Sequence, residues 1–168
     1  MTVNKNIKRY ICVYSIFLVL VALDIVLKIV TDGVTNKVII DGVVSIQSEY
    51  NKGAAWSMFS SYTFILAILS VVFVIMAIIF DIKNKLVKNN LYNVSFILIL
   101  SGAFGNAIDR VFLGFVRDFI KLDFVYFPIF NLADMLLVIG VILLAVYILL
   151  YEKFKSKGIN SENNTGNK

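Results

Sequence analysis

The sequence predicts an all-α membrane protein with four transmembrane helices and a small extracytoplasmic β-hairpin element. Of the 168 residues, 60% are hydrophobic and 16% are charged, and the mean hydropathy is +0.87. A composition this apolar is typical of integral membrane proteins. Four apolar runs each approach the roughly 20 residues that a helix needs to cross a bilayer. A turn sequence between two β-branched runs adds the hairpin.

The four predicted spans are residues 10–30, 63–80, 91–108 and 135–151. The last three spans contain no charged residue, whereas the first contains Asp24 and Lys28. These two residues are four apart and therefore share one helix face, with the acid first. We expect a single integral membrane domain over residues 1–158. The polar, Asn-rich residues 159–168 are predicted to be a disordered tail.

The basic residues predict the orientation in the membrane. Three groups of them adjoin the start of the first span, the connection between the second and third spans, and the end of the fourth: Lys5, Lys8 and Arg9; Lys83, Lys85 and Lys88; Lys153, Lys155 and Lys157. Cytoplasmic segments carry such an excess of Lys and Arg. Both termini are therefore expected in the cytoplasm, and the two acid-rich connections outside. This bias also explains the net charge of +5, so no nucleic-acid partner is implied.

The N-terminus resembles a secretory signal peptide because a basic stretch precedes an apolar one. The apolar run is too long for the hydrophobic part of a typical signal peptide, and no small-x-small cleavage sequence precedes Asp24. We therefore expect an uncleaved first span.

The first outer connection contains the predicted hairpin. A β-branched run lies on each side of Asp41-Gly42, a dipeptide that favours tight hairpin turns. The segment Asn51-Lys-Gly53-Ala-Ala-Trp56 then leads to the second span, and we expect Trp56 to anchor the chain at the membrane interface.

Several enzyme classes are excluded because the chain has no histidine. Ser-His and Cys-His nucleophile pairs and HExxH zinc sites all require one. A Ser-Lys dyad stays open, with Lys28 the only lysine inside a span, although neighbouring Asp24 favours a charged lysine. Glycine-rich phosphate-binding loops are also absent.

Polar motifs flank the third and fourth spans, where ionisable groups are costly unless they are paired, hydrated or functional. Asn106 and Asp109 share one helix face at the end of the third span. Ser101 and Gly105 are small residues four apart, which favours close helix packing. The motifs are Gly105-Asn-Ala-Ile-Asp-Arg110, Arg117-Asp118-Phe119 and Phe130-Asn-Leu-Ala-Asp134.

Asp118 and Asp134 are carboxylates within these motifs, and carboxylates beside lipid are a catalytic hypothesis. Each residue also has a simpler interpretation. Asp134 falls in the first turn of the fourth helix, where the helix dipole favours a carboxylate. Asp118 could form an ion pair with Arg110 or Arg117.

Four motifs, in this order among four spans, resemble the bacterial lipoprotein signal peptidase (signal peptidase II) family. They are Asn51-x-Gly53-Ala-Ala-Trp, Gly105-Asn106-x-x-Asp109-Arg110, Val116-x-Asp118-Phe119 and Phe130-Asn131-x-Ala133-Asp134. The resemblance implies an aspartic endopeptidase of the bacterial cytoplasmic membrane, with its active site at the outer face. It would remove signal peptides from prolipoproteins by cutting just before a diacylglyceryl-modified cysteine, without a metal or cofactor.

The resemblance also implies roles for individual residues. Asp118 and Asp134 would form the catalytic dyad. Asn51 and Gly53 would lie in the outer loop that holds the substrate or the cyclic peptide inhibitor globomycin. Other matching positions would surround the dyad or support the site: Asn106, Asp109, Arg110, Asn131, Ala133, Asp24 and Lys28.

Two positions depart from the family pattern. Ile25 stands where the family commonly has Gln, and Arg117 stands where it often has an apolar residue. Neither position is in the dyad, but Arg117 could alter the electrostatic field at Asp118.

Two alternatives belong to other classes. A non-enzymatic four-helix transporter or channel subunit could use carboxylates to bind protons or cations, but its sites would lie near mid-membrane on broken helices. A membrane aspartyl protease of the Gly-x-Gly-Asp type would need that motif, which the chain lacks.

Overall fold

The computed structural model describes residues 2–53, 62–84 and 90–165. It contains four helices and three strands in these residues: α1 Thr2–Val30, β1 Lys37–Ile40, β2 Val44–Asn51, α2 Thr63–Asn84, α3 Asn90–Leu113, β3 Val116–Leu122 and α4 Leu132–Thr165. Each helix contains a stretch long and apolar enough to cross a membrane. The predicted fold class of four spans with a small β-element is therefore confirmed. Trp56 lies outside the described residues, and its interfacial role stays a prediction.

α3 is the central helix of the bundle. Half of its membrane-spanning stretch is buried, against 22% for α1, 11% for α2 and 17% for α4. It packs against all three other helices, most extensively against α4. A buried apolar cluster joins α1, α2 and α3: Val13, Phe17, Val21, Val74, Ile97, Leu100 and Ala103. The outward faces carry exposed large apolar side chains, as expected for surfaces that contact lipid.

The helix ends differ from the predicted ones in ways that affect the site. α3 continues five residues beyond the predicted end at 108, so Asn106, Asp109 and Arg110 all belong to a helix. α4 begins at Leu132, which puts Asp134 in its first turn as expected. α4 also continues to Thr165, where the sequence predicted a disordered tail. No proline interrupts it, and a glycine within a helix costs only about 1 kcal/mol.

The predicted hairpin forms from β1 and β2. Gly42 has a φ of 66°, and the Val43 amide donates to the Ile40 carbonyl at 3.0 Å across the turn. Glycine adopts this left-handed conformation without steric cost. The turn therefore depends on the Asp-Gly sequence that predicted it.

A third strand, β3, extends the hairpin to an antiparallel sheet in the order β1-β2-β3. The sequence analysis missed it because Arg117, Asp118 and Lys121 obscure its apolar alternation. α3 ends at Leu113, and the following Gly114 has a φ of 77° and an amide that donates to the Arg110 carbonyl. This reversal returns the chain directly from α3 to the sheet.

The chain order fixes which end of the bundle carries the sheet. β1 and β2 connect α1 to α2, and β3 connects α3 to α4. With four spanning helices, both connections lie at the same end, opposite both termini. The start of α4 lies at that end too, beside β3.

Candidate active site

Asp118 occupies the middle of β3, and its side chain is buried, with 3% of the residue exposed. Its Oδ1 accepts a hydrogen bond from Asn131 Nδ2 at 2.6 Å, and its Oδ2 accepts one from Asn51 Nδ2 at 3.1 Å. Val116 pairs with Asn51 in the β2–β3 ladder, so Asp118 and Asn51 are diagonal neighbours on one face. The sheet register therefore brings the predicted loop residue Asn51 to the predicted catalytic residue.

Asp134 lies in the first turn of α4, where it forms a reciprocal cap with Asn131. The Asp134 amide donates to Asn131 Oδ1 at 2.9 Å, and the Asn131 amide donates to Asp134 Oδ2 at 3.2 Å. This pattern is the capping box of helix N-termini. The simpler interpretation of Asp134 as an N-terminal partner is thus correct in part. The other carboxyl oxygen of Asp134, Oδ1, takes no part in this cap and accepts a hydrogen bond from Asn106 Nδ2 at 2.7 Å.

Two asparagine side chains connect the carboxyl groups. Asn131 Nδ2 reaches Asp118 and also donates to Asn106 Oδ1 at 3.1 Å, while Asn106 Nδ2 reaches Asp134. Phe130 forms a bridge with Ile120 of β3, which holds the following Asn131 beside Asp118. The structure thus brings the two predicted dyad residues together with Asn106 and Asn131, which were expected to surround them.

Burial, together with the smaller effect of the nearby Asp134 carboxyl, raises the pKa of Asp118 to about 7. The hydrogen bonds from Asn51 and Asn131 act against this shift because they stabilise the ionised form. Desolvation is the larger effect. One carboxyl group of the pair can therefore hold a proton near neutral pH while the other is ionised, which is the state that general acid–base chemistry requires.

A charged network lies beside the dyad and joins α1, α3, β3 and α4. Lys28 Nζ lies 2.8 Å from Asp24 Oδ2 and 3.6 Å from Asp109 Oδ2, and all three side chains are almost fully buried. Asp24 Oδ1 accepts the Ala133 amide at 2.9 Å, so α1 also holds the first turn of α4. Arg117 binds Asp109 through Nη2 at 2.7 Å, Nε at 3.3 Å and its backbone amide at 3.0 Å.

The position of Arg117 resolves one question left open by the sequence. Its guanidinium pairs with Asp109, and this hydrogen bonding raises the pKa of Arg117. Arg110 instead donates from Nη2 to the Gly53 carbonyl at 2.8 Å. Asp118 is held by two amides, so the interpretation of Asp118 as a simple ion-pair partner is wrong. The Arg117–Asp109 pair was not predicted, because the sequence analysis related Arg117 only to Asp118.

Arg110 and Gly53 border the site toward the second helix. Asn51 Oδ1 accepts the Gly53 amide at 2.9 Å, which tightens the end of β2. Arg110 Nε is buried and has no hydrogen-bond partner within the described part of the chain. An apolar groove of about 230 Å³ between α2 and α3 begins beside it, lined by Phe64, Ala67, Ile68, Val71, Val72, Arg110 and Val111. A donor is therefore available where a substrate could approach.

Within residues 2–53, 62–84 and 90–165, no group of three or more His, Cys, Asp or Glu side chains is arranged to hold a metal ion.

The chain is similar to known proteins over most of its length. A family model described as signal peptidase (SPase) II matches residues 16–150. A protein of Enterococcus faecalis named lipoprotein signal peptidase is 41% identical over 128 residues, which cover 76% of this chain and 79% of the relative. A protein of Streptococcus thermophilus with the same name is 40% identical over 141 residues, covering 81% and 91%.

A solved structure agrees with these sequence similarities. It is described as a bacterial membrane enzyme determined by the in meso method at 2.3 Å resolution. The match has a TM-score of 0.76 at 35% identity and covers 82% of this chain and 87% of the other.

Proposed function

Because this chain belongs to the signal peptidase II family and removes signal peptides from prolipoproteins, we propose that it does so with Asp118 and Asp134 as an aspartic dyad. The observation that carries this proposal is the bridge of Asn131 and Asn106 between the two carboxyl groups. The bond cut is the one just before the diacylglyceryl-modified cysteine. The transporter alternative is not favoured, since the family is a peptidase family and each described spanning helix is continuous.

The proposed reaction uses water as the nucleophile. The ionised carboxylate removes a proton from water, and the resulting hydroxide attacks the scissile carbonyl carbon. The protonated carboxyl group donates a hydrogen bond to the carbonyl oxygen and then gives its proton to the leaving amine as the tetrahedral intermediate collapses. Since the pKa of Asp118 is raised to about 7, the dyad can keep the single proton that this cycle needs. The pair titrates as a unit, so neither residue is assigned as the base.

The amides around the dyad suit this chemistry. Asn51 and Asn131 donate neutral hydrogen bonds to Asp118, and Asn106 donates one to Asp134. Neutral donors orient a carboxyl group with less bias toward ionisation than a cation would introduce. We assign Arg110, whose Nε has no hydrogen-bond partner among the described residues, to the binding of a substrate carbonyl.

We assign the dyad to the outer membrane face, with both termini in the cytoplasm, on the basis of the Lys and Arg distribution. At that depth, a lipidated cysteine keeps its acyl chains in the bilayer and presents its peptide bond near the headgroups. The same site is proposed to bind globomycin beside Asn51 and Gly53, which a rise in thermal midpoint on addition of globomycin would support.

Hydroxylamine trapping tests the mechanism, because direct attack by water forms no covalent enzyme intermediate. A Ser-Lys enzyme would form an acyl ester, and hydroxylamine would convert part of the signal peptide into a hydroxamate. A diacylglyceryl-modified prolipoprotein peptide is cleaved in the presence of hydroxylamine, and the products are identified by mass spectrometry. We expect the released signal peptide to end only in a free carboxylate. A hydroxamate product would contradict the aspartic mechanism. The close contact of Lys28 with Asp24 supports our expectation, since it favours a charged lysine.

A further inference from the structure

Lys28 is fully buried in α1, yet it reaches the residues around the dyad. Its Nζ lies 3.0 Å from Asn106 Oδ1, in addition to its contacts with Asp24 and Asp109. Two negative partners favour the charged form, and an ammonium group has three donors and no acceptor. Whatever atom of Asn106 faces Lys28 must therefore be the oxygen.

That constraint determines the other end of the Asn106 side chain. A carboxamide has its oxygen on one side and its NH2 group on the other, so fixing Oδ1 toward Lys28 directs Nδ2 toward Asp134 Oδ1, 2.7 Å away. The opposite rotamer would set the amide oxygen against the Asp134 carboxyl oxygen and the NH2 group against the ammonium of Lys28. It would also oppose Asn131 Nδ2, which donates to the same Asn106 oxygen.

We propose that Lys28 is a positioning residue for cleavage, which acts by fixing the Asn106 carboxamide so that its nitrogen donates to Asp134. The inference rests on the proposed function of Asp118 and Asp134. It assigns Lys28 a role beyond holding α1 against α3, because the contact ends on a side chain that touches a reacting group. Lys28 itself has no contact with either dyad carboxyl among those described.

The contacts around Lys28 support this positioning role. Asp24 balances its charge and binds the Ala133 amide, so the ammonium is tied to the first turn of the helix that carries Asp134. Gly105 makes room for this approach, since a Cβ there would lie 2.6 Å from Asp24 Oδ2. Lys28 and Asp134 are therefore held in a fixed relation on both sides of Asn106.

A double-mutant cycle on kcat separates positioning from plain structural support. The cycle compares wild type, Lys28→Met, Asn106→Ala and the double variant on a diacylglyceryl-modified prolipoprotein peptide, with KM and thermal midpoint measured for each. If Lys28 acts through Asn106, Lys28→Met lowers kcat by about 10-fold or more in wild type but by less than about threefold in the Asn106→Ala background. KM should change little, since the Lys28 side chain is fully buried.

Equal losses of kcat in both backgrounds would overturn the inference that Lys28 acts through Asn106. Lys28→Met alone could fail to fold, because it leaves Asp24 buried without its cation. The cycle is then run in an Asp24→Asn background: Asp24→Asn is the reference, and Asp24→Asn combined with Lys28→Met is the test, each with and without Asn106→Ala. Asparagine is chosen at position 24 because its side-chain oxygen can still accept a hydrogen bond from the Ala133 amide. Asp118→Asn and Asp134→Asn are assayed alongside. Activity in these folded variants would refute the dyad itself, whereas inactive dyad variants with an additive cycle would refute only the role of Lys28.

Discussion

At the residue scale, Asp118 is held in an environment that opposes its own ionisation. Desolvation and the neighbouring Asp134 carboxyl raise its pKa to about 7, against 3.8 for an exposed aspartate. The folded state therefore binds a proton that the unfolded state releases between these two pH values. Such strain is expected at an active site, where a group is tuned for chemistry rather than for stability.

The raised pKa of Asp118 predicts how stability depends on pH. Its contribution to the free energy of unfolding is fully present below about pH 4 and is lost as pH rises through about 7, by up to about 4 kcal/mol. We expect the thermal midpoint in detergent to fall from pH 5 to pH 8 in wild type. Asp118→Asn should show a flatter profile, and the exposed Asp123→Asn should keep the wild-type slope. An unchanged slope in Asp118→Asn would show that Asp118 is not the titrating group.

The ion pair of Arg117 with Asp109 gives a second prediction at this scale. The Asp109 side chain is 1% exposed and that of Arg117 is 14% exposed, so loss of the guanidinium leaves a buried carboxylate with fewer partners. We expect Arg117→Met to destabilise the protein by about 2–3 kcal/mol. Lys121→Met is the matched control on the same strand. The Lys121–Asp123 pair is longer, at 3.6 Å, and its side chains are 37% and 22% exposed, so its loss should matter by less than about 1 kcal/mol. Equal shifts in thermal midpoint would contradict this account.

At the element scale, the close packing of α3 on α4 positions Asp134. A Cβ added at Gly102 would lie 2.7 Å from Leu137 Cγ and 2.9 Å from the Leu137 amide nitrogen, and closer still to the Ala133 carbonyl oxygen. The backbone of α4 cannot move away without shifting its first turn. The sequence predicted close packing of the third span at Ser101 and Gly105, and the structure adds Gly102 as the point where α3 contacts the first turns of α4.

Gly102→Ala should therefore lower both stability and activity. Overpacking of this kind costs about 1–3 kcal/mol, and the displacement falls on the turn that contains Asp134. The neighbouring Ser101→Ala is the control. Ser101 is fully buried, and its hydroxyl has no hydrogen-bond partner in the described part of the chain, so its loss should be close to neutral. Thermal midpoint and kcat measured on both variants check this, and an unaffected Gly102→Ala would contradict the close contact.

The elements also show what sequence reasoning can reach. The four spans follow from uninterrupted apolar runs, and the hairpin follows from Asp41-Gly42. β3 could not be predicted in the same way, because the charged residues Arg117 and Asp118 interrupt the apolar alternation that would indicate a strand. The family motifs pointed to polar residues that the structure brings close together, and their catalytic roles stay a prediction. They could not reveal that Lys28 binds Asn106 or that Arg117 binds Asp109, since both contacts depend on helix packing across distant segments.

At the scale of the whole molecule, the site combines segments that no single helix could bring together. α1 supplies Lys28, the end of β2 supplies Asn51, α3 supplies Asn106, and β3 and the start of α4 supply the two aspartates. All of these meet at the end of the bundle that carries the sheet. The side of the membrane on which this end lies decides whether the site can meet an exported substrate.

Cysteine labelling tests that orientation. Cys12 is the only native cysteine, so Cys12→Ser provides a cysteine-free background. In this background, Asp41→Cys in the exposed hairpin turn should react with a membrane-impermeant maleimide added to intact cells. Lys153→Cys, beyond the fourth span, should react only after the membrane is opened. The reverse pattern of labelling would place the dyad in the cytoplasm and refute the proposed orientation.

The central claim is that Asp118 and Asp134 together perform the cleavage. The most direct measurement is kcat/KM on a diacylglyceryl-modified prolipoprotein peptide for wild type, Asp118→Asn, Asp134→Asn and the exposed control Asp123→Asn, each checked for folding by thermal unfolding in detergent. We predict that each dyad variant loses at least about 1000-fold while Asp123→Asn stays within about threefold of wild type. A folded Asp118→Asn or Asp134→Asn variant that retains activity within about tenfold of wild type would contradict the account.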